Sequence, residues 1–270
     1  MTSSDRISTI GMVGLGAMGL PIARRLAAGP FTVLGYDLRP VEELGAVLQV
    51  DQLAEVGAAD LVFVIVPTDG DVCSVVAGAG GLIETGHEGL VIVVSSSVQP
   101  TTCQELAARA LEVGIHVIDA PLTGGVSGAV DGKLNLLVGG DEVVVDRADE
   151  VLRAVGESYH RLGPVGAGQI GKTVNNLVHW AEIVAIDEAL RFGALFGVDP
   201  VAMRTALQDG PVDGRTLREL ERMRFTWYVK DIDNAVALAE EQGVGLPVAE
   251  LSKELMHRIT VPSMKEMLRY

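Results

Sequence analysis

Lys172 and Asn176 stand four residues apart and have the side-chain types to handle a proton. On a helix they share one face. A lysine among apolar neighbours has its ammonium form disfavoured, which brings its pKa toward neutrality and lets it exchange protons there. Asn176 carries both donor and acceptor and can orient a hydroxyl beside it. The competing reading is a lysine at a helix start whose stem lies on apolar surface while its charge reaches water. Gly166-Ala167-Gly168-Gln169-Ile170-Gly171 precedes the pair and reads as a flexible turn, from which one long helix, Ile170 to Phe196, starts beside a ligand. His179 and Trp180 follow at i+7 and i+8 from Lys172, on the same face, where they could border a substrate. Such residues on an apolar helix face are more often packed core.

A second constellation lies near the N-terminus. Ile7 to Val13 reads as a strand, followed by Gly14-Leu15-Gly16-Ala17-Met18-Gly19 and a helical run from Leu20 to Ala28. This is the strand, glycine turn and helix that a dinucleotide diphosphate requires. Two glycines let the backbone turn and approach the phosphates, the third packs helix on strand, and the helix N-terminus receives the charge. Enzymes that use S-adenosylmethionine also place glycine turns after a first strand, so the motif alone is weak evidence. The next strand, Phe31 to Tyr36, ends at Asp37, close to the spacing at which an acid binds the adenosine ribose hydroxyls. Its charge would repel a 2′-phosphate and favours NAD over NADP, while Arg39 leaves NADP open.

The bulk properties narrow the partners. The chain has 270 residues, 48% of them hydrophobic, enough for one large core or two modest ones. A formal net charge of -15 argues against nucleic acid and anionic membranes, which need a basic surface, so an anionic substrate must meet a local positive site. Cys73 and Cys103 have no CxxC spacing and suggest neither a disulfide framework nor a zinc site, which points to a reducing cytoplasm and to no metal. The apolar N-terminus carries its glycines at fingerprint spacing and is not read as a signal peptide, and no other run is apolar enough to span a membrane.

Leu61 to Val66 and Leu90 to Val94 are continuous apolar runs, as parallel strands covered on both faces require. Ile115 to Asp119 and Leu134 to Val138 read as further strands, and strand–helix alternation continues to about Leu162. Helical periodicity takes over after Gly163. The expected architecture is α/β: a doubly wound parallel sheet of the Rossmann type over residues 1–163, then an all-helical domain over 164–270. Asp199-Pro200 reads as the cap and first turn of a later helix. The cleft between two such domains is where a ligand is expected.

Gly14 to Gly19, Asp119-Ala120-Pro121-Leu122-Thr123-Gly124-Gly125, the stretch Gly166 to Asn176 and Lys230-Asp231 occur in this order. Over nearly the whole chain this resembles the beta-hydroxyacid dehydrogenase family, the group containing 3-hydroxyisobutyrate dehydrogenase and tartronate semialdehyde reductase. The resemblance implies NAD(P)-dependent oxidation of a small 3-hydroxy acid, or reduction of the matching semialdehyde. It implies that Lys172 is the catalytic lysine, that Asn176 holds substrate next to it, and that Thr123, Gly124 and Gly125 grip a carboxylate. It places Gly14, Leu15, Gly16, Ala17, Met18, Gly19, Asp37, Pro67, Ser97 and Lys230 at the cofactor. Family members associate through the helical domain, so a homodimer is implied; Leu177, Ile183, Ile186, Leu190 and Phe196, spread over more than one helix face, are consistent with a surface to cover. Thr123 replaces the family's usual serine and adds a methyl. Val94 stands where an acid is common. The segment from Gly210 to Lys230 is short, and the usual glycine- and acid-containing tail does not follow Pro262. The alternatives are an NADPH-dependent semialdehyde or imine reductase, a non-catalytic dinucleotide-binding protein, and a methyltransferase. Retention of both Lys172 and Asn176 speaks for turnover. Trp227 and Tyr228, just before Lys230, could either line the pocket or pack the helical core.

Overall fold

A computed structural model describes residues 6–270. Its contacts divide the chain into two compact units, one running through Lys172 and the other Thr173–Tyr270.

The first unit is built on a sheet. Among the described residues its strands are β1 (Thr9–Val13), β2 (Thr32–Tyr36), β3 (Leu48–Gln49), β4 (Leu61–Val64), β5 (Val91–Val94), β6 (His116–Asp119), β7 (Leu122–Thr123), β8 (Asn135–Gly139) and β9 (Ser158–Gly163). They lie in the order β3-β2-β1-β4-β5-β6-β8-β7, with β9 beside β8. The pairings from β3 to β6 are parallel. β8 runs antiparallel to β6 and β7, and β9 runs parallel to β8. The helices between them are α1 (Gly19–Ala27), α2 (Leu53–Val56), α3 (Asp69–Ala77), α4 (Leu82–Thr85), α5 (Pro100–Leu111), α6 (Gly125–Asp131) and α7 (Glu142–Val155).

Continuous apolar strands form here because each face of the sheet has its own core. Leu61 and Phe63 of β4, and Val91 and Val93 of β5, pack with Ile22 and Leu26 of α1 and Val151 and Leu152 of α7. Their neighbours Val62, Val64, Ile92 and Val94 turn the other way, onto Val72 and Val76 of α3 and Cys103 and Leu106 of α5. Successive strand residues point to opposite faces, so a strand covered on both must be apolar throughout.

Helix α8 (Ala167–Leu195) crosses from one unit into the other. The second unit continues with α9 (Pro200–Gln208), α10 (Arg215–Glu219), a single 3-10 turn at Leu220–Arg222, α11 (Tyr228–Glu241), α12 (Pro247–Met256) and α13 (Val261–Leu268). Its core gathers Trp180, Ile183 and Leu190 of α8 with Leu220, Ile232, Met256, Met264 and Leu268. Arg204 and Glu221 form an ion pair of 2.9 Å within it, both side chains almost fully buried. Among the described residues no helix is long and apolar enough to cross a membrane.

Two local expectations change. The long helix begins at Ala167, three residues before Ile170, so Lys172 lies in its second turn rather than at its opening. The glycines there do not serve flexibility. A Cβ at Gly168 would run into the Leu137 carbonyl, so glycine is needed there for close packing of the helix start, while one at Gly171 would meet only the end of the Leu162 side chain. Asp199 does stand at the start of α9 with Pro200 in the first turn, but its carboxylate pairs with Arg269 at 2.8 Å and makes no capping bond.

Candidate active site

The parallel register brings the carboxyl ends of five strands into one row. Tyr36 pairs with Val13, Val13 with Val64, Val64 with Val94 and Val94 with Asp119. The residues after this row therefore share one edge of the sheet: the glycine turn after β1, Asp37 after β2, Pro67 after β4, Ser95–Ser97 after β5 and the loop to Gly125 after β6. Ligands of open α/β sheets bind at that edge.

The glycine turn has the geometry that its spacing implies. Gly14 takes φ +91°, a region that strains other residues, and a Cβ there would strike the Ile65 carbonyl. A Cβ on Gly19 would strike the Gly14 carbonyl, so helix and turn are in backbone contact. Gly16 differs: a Cβ would meet nothing within 4 Å, and Gly16 and Ala17 are exposed. That open space above a helix start is what a diphosphate needs. No side chain caps α1, and no acid stands in its first turn. Leu15 is buried in the core and Met18 packs against it. Asp37 accepts hydrogen bonds from Leu15 N at 2.9 Å and Arg39 N at 3.0 Å, the first of which ties the acid to the glycine turn. These residues fit a bound dinucleotide.

The β5 loop separates two serines by role. Ser96 is buried, its hydroxyl accepting from Val66 N and donating to Val66 O, both at 2.8 Å, so it knits the β4 and β5 ends together. Ser97 is exposed beside it, as is Pro67 at the end of the β4 segment. In the β6 loop Gly124 and Gly125 take φ of +114° and +64°, and Thr123 Oγ1 and the Asn135 side chain are 3.4 Å apart. The loop is thus a glycine-shaped turn whose flank is held by β8.

Lys172 is half-buried on α8. The start of that helix is gripped from β6. Asp119, fully buried, accepts from Gly166 N at 2.6 Å and Gln169 N at 2.8 Å, and the Gly168 N–H also bonds to it. Burial pushes the Asp119 carboxyl up to about 6 against the pull of those N–H groups. The side chain of Gln169, also buried, donates to Ser96 O at 2.9 Å and accepts from Val98 N at 3.2 Å. Neither residue stood among the sequence candidates. An acid ending an otherwise apolar strand was the available signal.

In the second unit, Asn176 Nδ2 donates to Asp231 Oδ2 at 3.0 Å, and Trp180 Nε1 donates to the same oxygen at 3.1 Å. Asp231, in the first turn of α11, therefore fixes the Asn176 amide and was not singled out on its own from sequence. Trp180 is buried among the helices of this unit, and His179 Nδ1 lies 3.0 Å from Thr216 Oγ1, so both belong to internal packing and hydrogen bonding. Lys230 is exposed at the start of α11, next to Trp227, which is also exposed, and half-buried Tyr228.

Comparison with known proteins gives consistent matches along the chain. Residues 9–166 match the family model of the NAD binding domain of 6-phosphogluconate dehydrogenase, and residues 166–266 match that of the NAD-binding region of NADP-dependent 3-hydroxyisobutyrate dehydrogenase. A 2-(hydroxymethyl)glutarate dehydrogenase of Eubacterium barkeri is 32% identical, over 91% of this chain and 87% of its own. A 2-hydroxy-3-oxopropionate reductase of Escherichia coli is also 32% identical, over 92% and 90%. A solved 3-hydroxyisobutyrate dehydrogenase of Mycobacterium tuberculosis, with L-serine, superposes with a TM-score of 0.80 at 26% identity, over 92% of each chain. With the glycine turn, the acid after β2 and this coverage together, the chain belongs to the beta-hydroxyacid dehydrogenases, NAD(P)-dependent oxidoreductases of small 3-hydroxy acids.

Proposed function

We propose that this chain oxidises a small anionic 3-hydroxy acid, or reduces the matching semialdehyde, with Lys172 as acid/base and NAD as the preferred cofactor. The observation that carries the reading is the placement of Lys172, half-buried on a helix whose first turn is anchored to the carboxyl edge of the sheet, where the glycine turn also lies. Bound nicotinamide supplies or accepts the hydride. Neutral Lys172 takes the proton from the substrate hydroxyl during oxidation and, as an ammonium, returns it in reduction. Asn176, one turn further along α8 and held by Asp231, keeps a hydroxyl oriented toward the lysine. Backbone N–H groups of the Thr123-Gly124-Gly125 turn hold the carboxylate without adding net charge. Gly14, Leu15, Gly16, Ala17, Met18 and Gly19 hold the diphosphate, Asp37 the ribose, and Pro67, Ser97 and Lys230 border the cofactor.

In this reading residues 1–163 bind the dinucleotide and 164–270 form the helical part, which joins two copies into a homodimer in a reducing cytoplasm. Two free thiols at Cys73 and Cys103 suit such a compartment. For the dimer, Ile183 and Leu190 lie in the helical core and Leu177 and Ile186 pack against it, so of the five apolar residues offered by the sequence only Phe196 is exposed; Val174, Val178, Phe192 and Leu195 of α8 are exposed as well, with the Phe192 and Phe196 rings 5.0 Å apart. An apolar stripe of this kind suits a second copy.

The test is Lys172→Ala assayed against a panel of short 3-hydroxy acids with NAD and NADP. Loss of a positioned acid/base lowers kcat by about 10² to 10⁴. NAD affinity, measured by titration, stays within about threefold because the turn that holds it is untouched. A variant with near-native kcat removes Lys172 from the chemistry.

A further inference from the structure

Helix α8 lacks what a helix start normally uses. Its first N–H groups need acceptors, and the residue before Ala167 is Gly166, at φ +95°, with no side-chain oxygen to offer. The acceptor comes instead from the last residue of β6. One oxygen of Asp119 takes Gly166 N and the other takes Gln169 N, with Gly168 N also bonded. The carboxylate has no room to move: a Cβ at Gly139 would lie 2.5 Å from its Oδ1 and one at Gly168 would lie 2.7 Å from its Oδ2. From the same turn the Gln169 amide reaches the other way and clasps the loop after β5 through Ser96 O and Val98 N, on either side of Ser97. Lys172 follows Gln169 by three residues, less than one helical turn.

We propose that Asp119 and Gln169 are positioning residues: Asp119 fixes the height and rotation of the first turn of α8, and Gln169 locks that turn to the Ser97 loop, so that the Lys172 amine is held at a set distance from the cofactor side of the site. The proposal rests on Lys172 being the acid/base. Misplacement of a reacting group by about 1 Å costs on the order of 10²-fold in rate. The two substitutions therefore act on kcat far more than on cofactor binding.

The test compares Asp119→Asn, which keeps the shape and loses the charge, with Gln169→Met, which keeps the volume and loses both clasping bonds. Expected for each is a kcat lower by roughly 10- to 100-fold, with NADH affinity within about threefold of the parent and substrate KM changing far less than kcat. The second readout is independent of turnover. The chain has five lysines; with 15N-lysine labelling, the amide signal that disappears in Lys172→Ala shifts in both variants, while those of Lys133 and Lys265 stay in place. Folded variants with parental kcat, or an unmoved Lys172 signal, overturn the proposal. If Asp119→Asn does not fold, Gln169→Met decides it alone. If Lys172→Ala keeps its kcat while the Lys172 signal still moves, the acid/base reading fails and the anchoring stands.

Discussion

Gly14, Gly16 and Gly19 offer a sharp test, because the structure assigns each a different cost. Gly16 is outside the left-handed region and a Cβ there meets nothing within 4 Å. Gly16→Ala should therefore fold with stability within about 1 kcal/mol of the parent, with some gain expected from a stiffer unfolded chain. Its methyl stands where the diphosphate must approach. Displacing one charge-assisted backbone bond to phosphate costs about 1.5–3 kcal/mol, which is a 10- to 100-fold rise in Kd. Gly14→Ala should do the reverse. At φ +91° a non-glycine residue costs roughly 1–3 kcal/mol, and the Cβ collision with the Ile65 carbonyl adds to it. Gly19→Ala forces helix α1 off the Gly14 carbonyl, an overpacking expected to cost about 1–3 kcal/mol. Urea unfolding monitored by circular dichroism gives the stabilities, and NADH fluorescence titration gives the affinities. If Gly16→Ala binds NADH within twofold of the parent, the diphosphate does not lie on this turn. If Gly14→Ala is as stable as the parent, the strain argument is wrong.

Other outcomes can be stated briefly. Asp37→Ser removes the acid that repels a 2′-phosphate and should shift the NAD over NADP preference toward NADP by about 1–3 kcal/mol, read from the two kcat/KM values; a parent enzyme that already prefers NADP would contradict the assignment. The Asp119 carboxyl, at about 6 against an ordinary 3.8, binds its proton more tightly folded than unfolded, so its contribution to stability is full below pH 3.8 and is lost as pH rises through 6. The stability of the parent relative to Asp119→Asn should then fall by about 2 kcal/mol between pH 4.5 and 7.5 in urea titrations, and a flat difference would refute it; Cys103, whose thiol feels the Asp119 charge, is held protonated across that window by its burial. Sedimentation equilibrium should give twice the 28.4 kDa chain mass, and Phe192→Glu should release monomers; a stable, active parental monomer would end the dimer reading.

The parts of the fold that were legible are those where local pattern and burial agree. β1, β2, β4, β5 and β6 lie within runs that the apolar pattern marks and β8 runs one residue past its own; in β4 and β5, buried at every position, double-sided burial leaves few alternatives to apolar residues. β3 and β7 are two residues long and carry no period. β9, Ser158–Gly163, is mostly exposed and polar, and its strand form comes from pairing with β8 rather than from its own residues. The start of α8 was misplaced for a related reason. Its capping acceptor is Asp119, 47 residues upstream of Gly166, and no local reading of Gly166 to Gly171 contains that partner. The site was legible where backbone geometry dictates residue type, as at Gly14 and Gly19. It was not legible at Gln169 or Asp231, whose roles exist only through side chains that meet distant segments.

The distribution of helix caps says where an anion can go on a chain that carries a net charge of -15. A helix N-terminus attracts negative charge, and any acceptor already there lowers that attraction. Within the first unit, Thr68 caps α3 and Asp141 caps α7 from adjacent positions. The start of α8 is filled from a distance by Asp119. Asp69 takes Gln99 N and Thr102 Oγ1 at the start of α5. Helix α1 is the exception among these five: it has no side-chain cap, no acid in its first turn and exposed Gly16 and Ala17 before it. Helix α6, with Gly124 before it and no acid in its first turn, is uncapped as well, so α1 is one of the open starts of this unit, and in the proposed reading it is the one that receives the diphosphate without a basic surface. The buried charge at Asp119 has the same logic at the neighbouring helix. It keeps anions away from the first turn of α8, and in the proposed reading the positive group offered in the second turn is the side chain of Lys172, one that can also give up its charge.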